Sequence, residues 1–433
     1  MSSIRSRERN RDCHDAPVQE SGAAMKNEAP GFLSKNMEMV AYHDLNKRPG
    51  FKMGIQVVDG RWYMYLAHFW HRGWTILDIT NPSNPELVNF IPGPANTWTV
   101  QIQVADGLMI TALERVGDGF DARLDAWGYD PSIPFQEGVL IWDIRNPVEP
   151  RQVGAFRTGG LGTHRNFYPG GNYAYLAANM KGYKGNIFVA IDLSDPAHPK
   201  EVSRWWVKGQ WAEGGERSDR FYQLHGPYVL GDRAYLPYGR AGFIILDLSD
   251  LTHPREISRI DIGDFGSIVG GHTYLPIPAR KLAIATTEAI LEDERDPLNL
   301  ALVVDISNEQ QPKPIANFPV PVPPEEIGIG DFHELGGKFG PHNIHMPHQQ
   351  SCFADVEDII HICYESGGLW LYDIRAPGVP KPIAYFIPAA PKERRGFLPA
   401  KLATQTEDVV VDSRGYIYIT DKTHGLFILR HTE

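Results

Sequence analysis

One phrase recurs along this chain and constrains its fold more than anything else in it: an apolar run, an Asp, another apolar residue, then a short turn closed by Pro. It reads TILDITNPSNP from Thr75, LIWDIRNPVEP from Leu140, FVAIDLSDPAHP from Phe188, IILDLSDLTHP from Ile244, LVVDISNEQQP from Leu302 and LWLYDIRAPGVP from Leu369. A truncated copy, GLFILRHTE, starts at Gly425. Asp78, Asp143, Asp192, Asp247, Asp305 and Asp373 therefore recur every 50 to 70 residues or so, roughly the period of a repeat array whose units share a core only when stacked.

Each phrase lies in a longer unit of four apolar stretches rich in Val, Ile, Tyr and Trp and bounded by Gly, Pro, Asn and Asp, the pattern of four strands. Around Asp247 these are HGPYVLG, RAYLPY, GFIILDL and REISRIDIG. No stretch carries helical periodicity. Four-stranded antiparallel units repeated about an axis form a β-propeller, and the copies in this chain predict an all-β fold of seven blades. The segment MEMVAYHDL, from Met37 to Leu45, precedes the first full unit and supplies the outer strand that the truncated last copy lacks. Pairing the first and last strands removes an exposed edge. Residues 37–433 are thus expected to form the propeller, and the polar residues 1–36 a disordered tail, with Met25 an alternative start. The phrases resemble the LVIVD repeat, a bacterial and archaeal propeller family, over nearly the whole chain from about Met37, a likeness that implies a fold and not a chemistry.

Composition narrows the partners. With 42 Lys and Arg against 53 Asp and Glu the chain carries a net charge of −11, which argues against nucleic acid or an anionic membrane as the main partner. No apolar run is long enough to cross a bilayer. Three cysteines, Cys13, Cys352 and Cys363, are too few and too scattered for a disulfide framework or a thiolate metal site, which fits a cytoplasmic protein. The start, RSRERNRDCHD, lacks the apolar segment of a secretory signal. Oligomeric state has no signature in the sequence.

Chemistry emerges when the innermost strand of each unit is aligned on its terminal turn. Four of these strands open with His: HRNFYPGG, HGPYVLGD, HTYLPIPA and HNIHMPHQ place His164, His225, His272 and His342 at one register, in a chain with only 16 histidines. The last unit, EDVVVDSR, puts Glu407 there; the first and second put apolar residues near Met53 and Val100. Equivalent positions on innermost strands lie at equal heights around the central tunnel, so the four imidazoles are expected to converge near its axis. A nitrogen donor set without thiolate suits Fe(II), Cu(II), Mn(II) or Zn(II). Four contiguous blades leave the remaining side open for dioxygen, water or substrate.

That arrangement is similar to the site of the carotenoid cleavage oxygenases, which hold a non-haem Fe(II) with four histidines from different blades and orient them through outer carboxylates. The likeness is one of arrangement, since that family's own motifs are not evident here. It implies His164, His225, His272 and His342 as ligands and Glu407 as the carboxylate that accepts an imidazole N–H. Loops between second and third strands should rim the site, and they offer Glu288 and Glu365 as further outer partners, with His68, His71, Arg240, Tyr364 and His424 on the same rim. The second unit carries a long insertion, Glu114 to Gly138, whose Phe120, Trp127 and Tyr129 are candidates for a lid over an apolar substrate. His345, three residues after His342, points to the opposite face of its strand. His348 falls at the far turn, and His198 and His253 at outer Pro turns. No nucleophile elbow, phosphate loop, dinucleotide fingerprint or zinc-protease motif occurs. The sequence therefore points to a metal-dependent oxidoreductase, an Fe(II) dioxygenase-like enzyme cleaving a small, partly apolar or aromatic substrate. A copper oxidase, resembling the methanethiol oxidase and selenium-binding propellers, a metal-dependent hydrolase or lyase, and a non-catalytic interaction propeller are the alternatives.

Overall fold

A computed structural model describes residues 29–115, 129–262, 270–292, 300–396 and 398–432. Among these, the strands fall into five four-stranded antiparallel sheets and one of nine. The large sheet is two meanders, 102–156 and 162–205, joined where Gly162 pairs with Glu114. The chain is an all-β propeller, and no described helix is long and apolar enough to cross a membrane.

The recurring Asp explains why the unit repeats. Each ends the third strand of its sheet, as in Gly73–Asp78, Ile187–Asp192 and Leu369–Asp373. Its carboxylate then accepts the backbone N–H two residues on: Thr80 at 2.8 Å from Asp78, Ser194 at 2.7 Å from Asp192, Arg375 at 2.8 Å from Asp373. This is the Asx turn that Asp favours, and it turns the chain into the fourth strand. Just before it, the pairing of third and fourth strands slips by one residue in every unit that carries the Asp, for example between Ile76 and Leu77 and between Ala190 and Ile191. Such bulges increase the twist of a sheet, and here they recur at one place per unit. At the other end of the third strand the fold demands glycine. Gly242 has φ +85°, and a Cβ there would meet the Ile260 carbonyl oxygen at 1.9 Å.

Closure follows the expected pairing: Met37–His43 adds to Leu426–His431 as the outer strand of the last unit. One expectation fails at the end of the tail. Residues 1–28 lie outside the described residues, but Phe32–Lys35 is a strand paired with Tyr385 to Pro388, adding a strand outside Lys381–Pro388. The FLSK stretch alternates too weakly to announce itself, and Phe32 gains its partner, the ring of Phe386 at 4.8 Å, only in the folded molecule.

Apolar side chains fill the space between neighbouring units. Trp74 of the first packs edge-on against Trp142 of the second with centroids 5.6 Å apart, and Phe386 against Phe427 at 5.5 Å. Each fully buried ring of this kind contributes on the order of 2–3 kcal/mol. One end of the tunnel is bridged. The segment 347–353 crosses it, with Gln349 donating to the Val229 carbonyl, Gln350 to that of Pro169 and the Cys352 thiol to that of Ile55. These partners sit well along the innermost strands, whereas the four histidines sit at their starts, so the histidine end is the other one.

Candidate metal centre

Each of the four histidines stands where the innermost strand begins to pair with the second. The His164 N–H donates to the Ala177 carbonyl at 2.9 Å, that of His225 to Pro237 at 3.0 Å and that of His342 to Cys363 at 2.9 Å. His272 is the extra residue of a bulge between Gly271 and Thr273, and Glu407 occupies the same bulge between Thr406 and Asp408. A bulge re-aims a side chain, here toward the tunnel.

The imidazoles form a continuous arc. Ring centroids are 4.8 Å apart from His164 to His225, 3.9 Å from His225 to His272 and 4.5 Å from His272 to His342. Three of the four outer nitrogens are held, while His225 Nδ1 is buried without a hydrogen-bond partner. His164 Nδ1 donates to Glu114 Oε2 at 2.7 Å, and His342 Nδ1 to the Glu407 carbonyl oxygen at 3.1 Å. His272 Nδ1 meets the Thr273 hydroxyl at 3.0 Å. The inner nitrogens are left to each other and to one acid. His164 Nε2 and His225 Nε2 lie 3.2 Å apart, while Glu288 is 3.7 Å from His272 Nε2 and 3.5 Å from His342 Nε2. His272 Nε2, fully buried, has no hydrogen-bond partner.

Two three-residue groups have donor atoms close enough to share an ion: His225, His272 and Glu288, and Glu288, His342 and Glu365. The four-histidine set is thus brought together as an arc, but Glu288 stands inside it and His164 joins only through His225. Glu407 does accept the His342 N–H, through its backbone carbonyl; its carboxylate lies 3.4 Å away.

A second ring backs the first, and sequence reasoning saw only part of it. The residues that close the second strand or begin the loop after it include Glu114, Glu288, Glu365 and Lys422, all on the histidine side. Lys422 Nζ lies 2.9 Å from Glu365 and 2.8 Å from Glu407. Below them Lys52 pairs with Asp408, both buried, and Arg165 donates to the Thr273 hydroxyl at 3.0 Å and the Met346 sulfur at 3.3 Å. Lys52 is one residue from the position assigned to apolar Met53, at a bulge spanning Phe51 and Lys52 that the sequence does not display. Lys422 lies in the same DKTHG loop from which His424 was singled out; His424 itself turns to the Ala389 carbonyl, at 2.9 Å.

Burial sets the protonation states. It pushes His225, His272 and His342 well below the ordinary imidazole range, helped by neighbouring positive charges, so they are neutral donors. For His164 burial also opposes the charge, but the carboxylate and hydrogen bond of Glu114 outweigh it and raise the value. Burial raises Glu288, and it raises Glu407 to about 8, with the charge of Glu365 adding to the effect and Lys422 opposing it.

Other residues singled out in the sequence have structural roles. His345 meets the Ala354 carbonyl at 2.8 Å and accepts from the Val411 N–H at 3.1 Å, pointing away from the arc as expected. His68 is buried between the Pro49 carbonyl and the Thr75 hydroxyl. His348 is buried beside Phe167 and Phe353, while His198 and His253 are exposed on Asp195 and Asp250. Of the proposed lid, Phe120 and Trp127 lie outside the described residues; Tyr129 is half-buried.

The repeat phrase now has a match. The LVIVD repeat model fits residues 54–90, 170–206 and 228–262. No curated protein matches the chain. Among solved structures, the chain is similar to the β-propeller domain of Cps50 (Swd1) from Myceliophteria thermophila, at 9% identity and a TM-score of 0.54, covering 89% of this chain and 99% of that one. It is also similar to a chain of the Mitotic Checkpoint Complex, at 7% identity and 0.53, covering 100% and 99%, and to a protein from Lactobacillus plantarum, at 12% and 0.51, covering 86% and 100%. At these identities the likeness is one of fold. It lends no support to the resemblance to the carotenoid cleavage oxygenases.

Proposed function

We propose that the histidine arc holds a divalent metal ion and that the protein is a metal-dependent oxidoreductase, an Fe(II) oxygenase acting on a small, partly apolar or aromatic substrate. The observation that carries this reading is the buried, unpartnered Nε2 of His272 facing Glu288, with neutral His225 and His342 beside it. A buried nitrogen without a partner costs about 1–3 kcal/mol, which a ligand at that point would offset. Neutral imidazoles plus one carboxylate suit Fe(II), Mn(II), Zn(II) and Cu(II). His225, His272, His342 and Glu288 would hold the ion, with His164 at the flank.

When bound, such an ion supplies Lewis acidity and, as Fe(II), redox chemistry toward dioxygen. The chain's own residues do the rest. Glu114, Thr273 and the Glu407 carbonyl fix three outer nitrogens so that the inner ones face the site. The segment 347–353 bridges the far end of the tunnel. Lys422 holds the carboxylates of Glu365 and Glu407 beside His342 Nδ1, behind the inner nitrogens.

The Glu288 carboxylate among the imidazoles also suits Zn(II) or Mn(II) and favours a second reading, a metal-dependent hydrolase or lyase, in which the ion would activate a bound water. Elemental analysis of untagged full-length protein, loaded with Fe(II), Mn(II) or Zn(II) and desalted, should return about one ion per chain, and His272→Ala should abolish it. A metal-free wild-type protein would overturn both readings and leave an interaction propeller. Oxygen uptake by the iron-loaded form separates the two: a protein that binds iron tightly yet consumes no oxygen with any candidate substrate is not an oxygenase.

A further inference from the structure

Beside the arc, a cavity of about 620 Å³ opens between the first and second units. Its walls combine three basic side chains, Arg48, His71 and Arg72, with the rings of Trp70 and Phe90, and Asp130 stands at its edge. Trp70, His71 and Arg72 follow the second strand of the first unit, in the loop position from which the other units send Glu288, Glu365 and Lys422 inward. Here the loop presents Arg72 and a neutral His71 to a cavity instead. Among the described residues, no carboxylate pairs with Arg48 or Arg72. The Arg48 guanidinium lies 4.0 Å above the Phe90 ring, which holds its plane and leaves its edge to a ligand. The one acid present is already engaged: Asp130 accepts from the Ser132 N–H at 2.9 Å and its hydroxyl at 2.6 Å. Burial lowers the His71 pKa, with the charges of Arg48 and Arg395 adding to the effect, in keeping with an uncompensated positive potential.

The cavity is tied to the arc through one ring. The Trp70 indole N–H donates to the Lys422 carbonyl at 2.8 Å, and the Lys422 ammonium pairs with Glu407, whose carboxylate is 3.4 Å from His342.

We propose that this cavity is a binding site for a small aromatic carboxylate. Its carboxylate sits between Arg48 and Arg72, where guanidinium forks match a planar two-oxygen anion, and its ring lies along Trp70 and Phe90. The binding itself does not need the metal.

Isothermal titration of metal-stripped full-length protein tests it, with cinnamate and its uncharged analogue cinnamamide as probes. Cinnamate should bind at least about tenfold more tightly than the amide, the increment expected of one charge-assisted pair. The difference should shrink at high salt, and Arg48→Gln/Arg72→Gln should lose it while keeping its fold by circular dichroism. Equal binding of acid and amide, no saturable binding, or full affinity in the double variant would overturn the proposal. Metal content measured on the wild-type protein separates the two readings. Metal bound without cinnamate discrimination sinks only the cavity; discrimination without metal sinks only the metal centre.

Discussion

The outer rim of this propeller and its inner wall obey opposite rules. On the rim every unit that carries the repeat phrase uses the same residue in the same way, an Asp that closes the third strand and accepts the N–H two residues on, from Asp78 to Asp373. On the inner wall one register carries His164, His225, His272, His342 and Glu407, and the loop behind it carries Glu114, Glu288, Glu365 and Lys422. The rim turns face water and redirect the chain. The wall residues, apart from half-buried Glu114 and His164, are buried charges and imidazoles, and they partner one another across units. Repetition on the rim marks what folds the chain; on the wall a register shared by four histidines is varied by the acids and the lysine that pair with them.

If the wall is a coupled network, breaking it should cost far more than breaking the rim. The largest effect is expected for Lys422→Met, which removes the cation shared by Glu365 and Glu407 and leaves two carboxylates buried within one site. Loss of one partner from a buried ion pair costs about 3–5 kcal/mol, measured as a lower denaturant midpoint. Adding Glu365→Gln and Glu407→Gln to Lys422→Met should recover most of it. A triple variant as unstable as the single one would mean that Lys422 acts by packing alone.

The fold was legible in the sequence because the rim phrase is local: Asp, bulge and turn lie within a few residues and recur. The four histidines were legible for the same reason, being a repeated residue at a repeated register. What stayed hidden depends on pairing between units. Lys52 and Asp408 are 356 positions apart and meet only because the ring closes. Glu114 and His164 belong to neighbouring units whose contact no periodicity encodes. Glu288 was legible as a rim residue but not as a member of the arc, because loop position fixes the unit and not the reach of a side chain. Phe32–Lys35 was missed because its reason to be a strand is a free sheet edge elsewhere.

A second break in the comparison comes from acid. His68 and His345 are buried and neutral, and burial lowers each to about 4, partly offset by the Pro49 and Ala354 carbonyls. An imidazole in the unfolded chain titrates near 6.5. Between pH 6.5 and 4 the unfolded chain therefore binds a proton that the folded one refuses, so stability falls as pH falls through that window. The effect reaches on the order of 3 kcal/mol per histidine at its lower end. Urea titrations from pH 7 to 4.5 should show the decline, and His68→Gln should reduce its slope.

The smallest effect belongs to the rim itself and sharpens the contrast most. Asp192→Ala removes the carboxylate that accepts the Ser194 N–H at 2.7 Å, but that donor is exposed and water replaces the lost acceptor. The neighbouring hydrogen bond from Leu193 N to the Asn172 carbonyl at 2.7 Å also holds the turn. One such variant should leave the thermal midpoint within measurement error. Replacing all six should not, because each unit draws its turn and its bulge from the same Asp, and weakening every unit together removes what neighbouring units lend to a single weakened one. A large loss from Asp192→Ala alone would show that the rim, like the wall, works as a network, and the division drawn between them would fail.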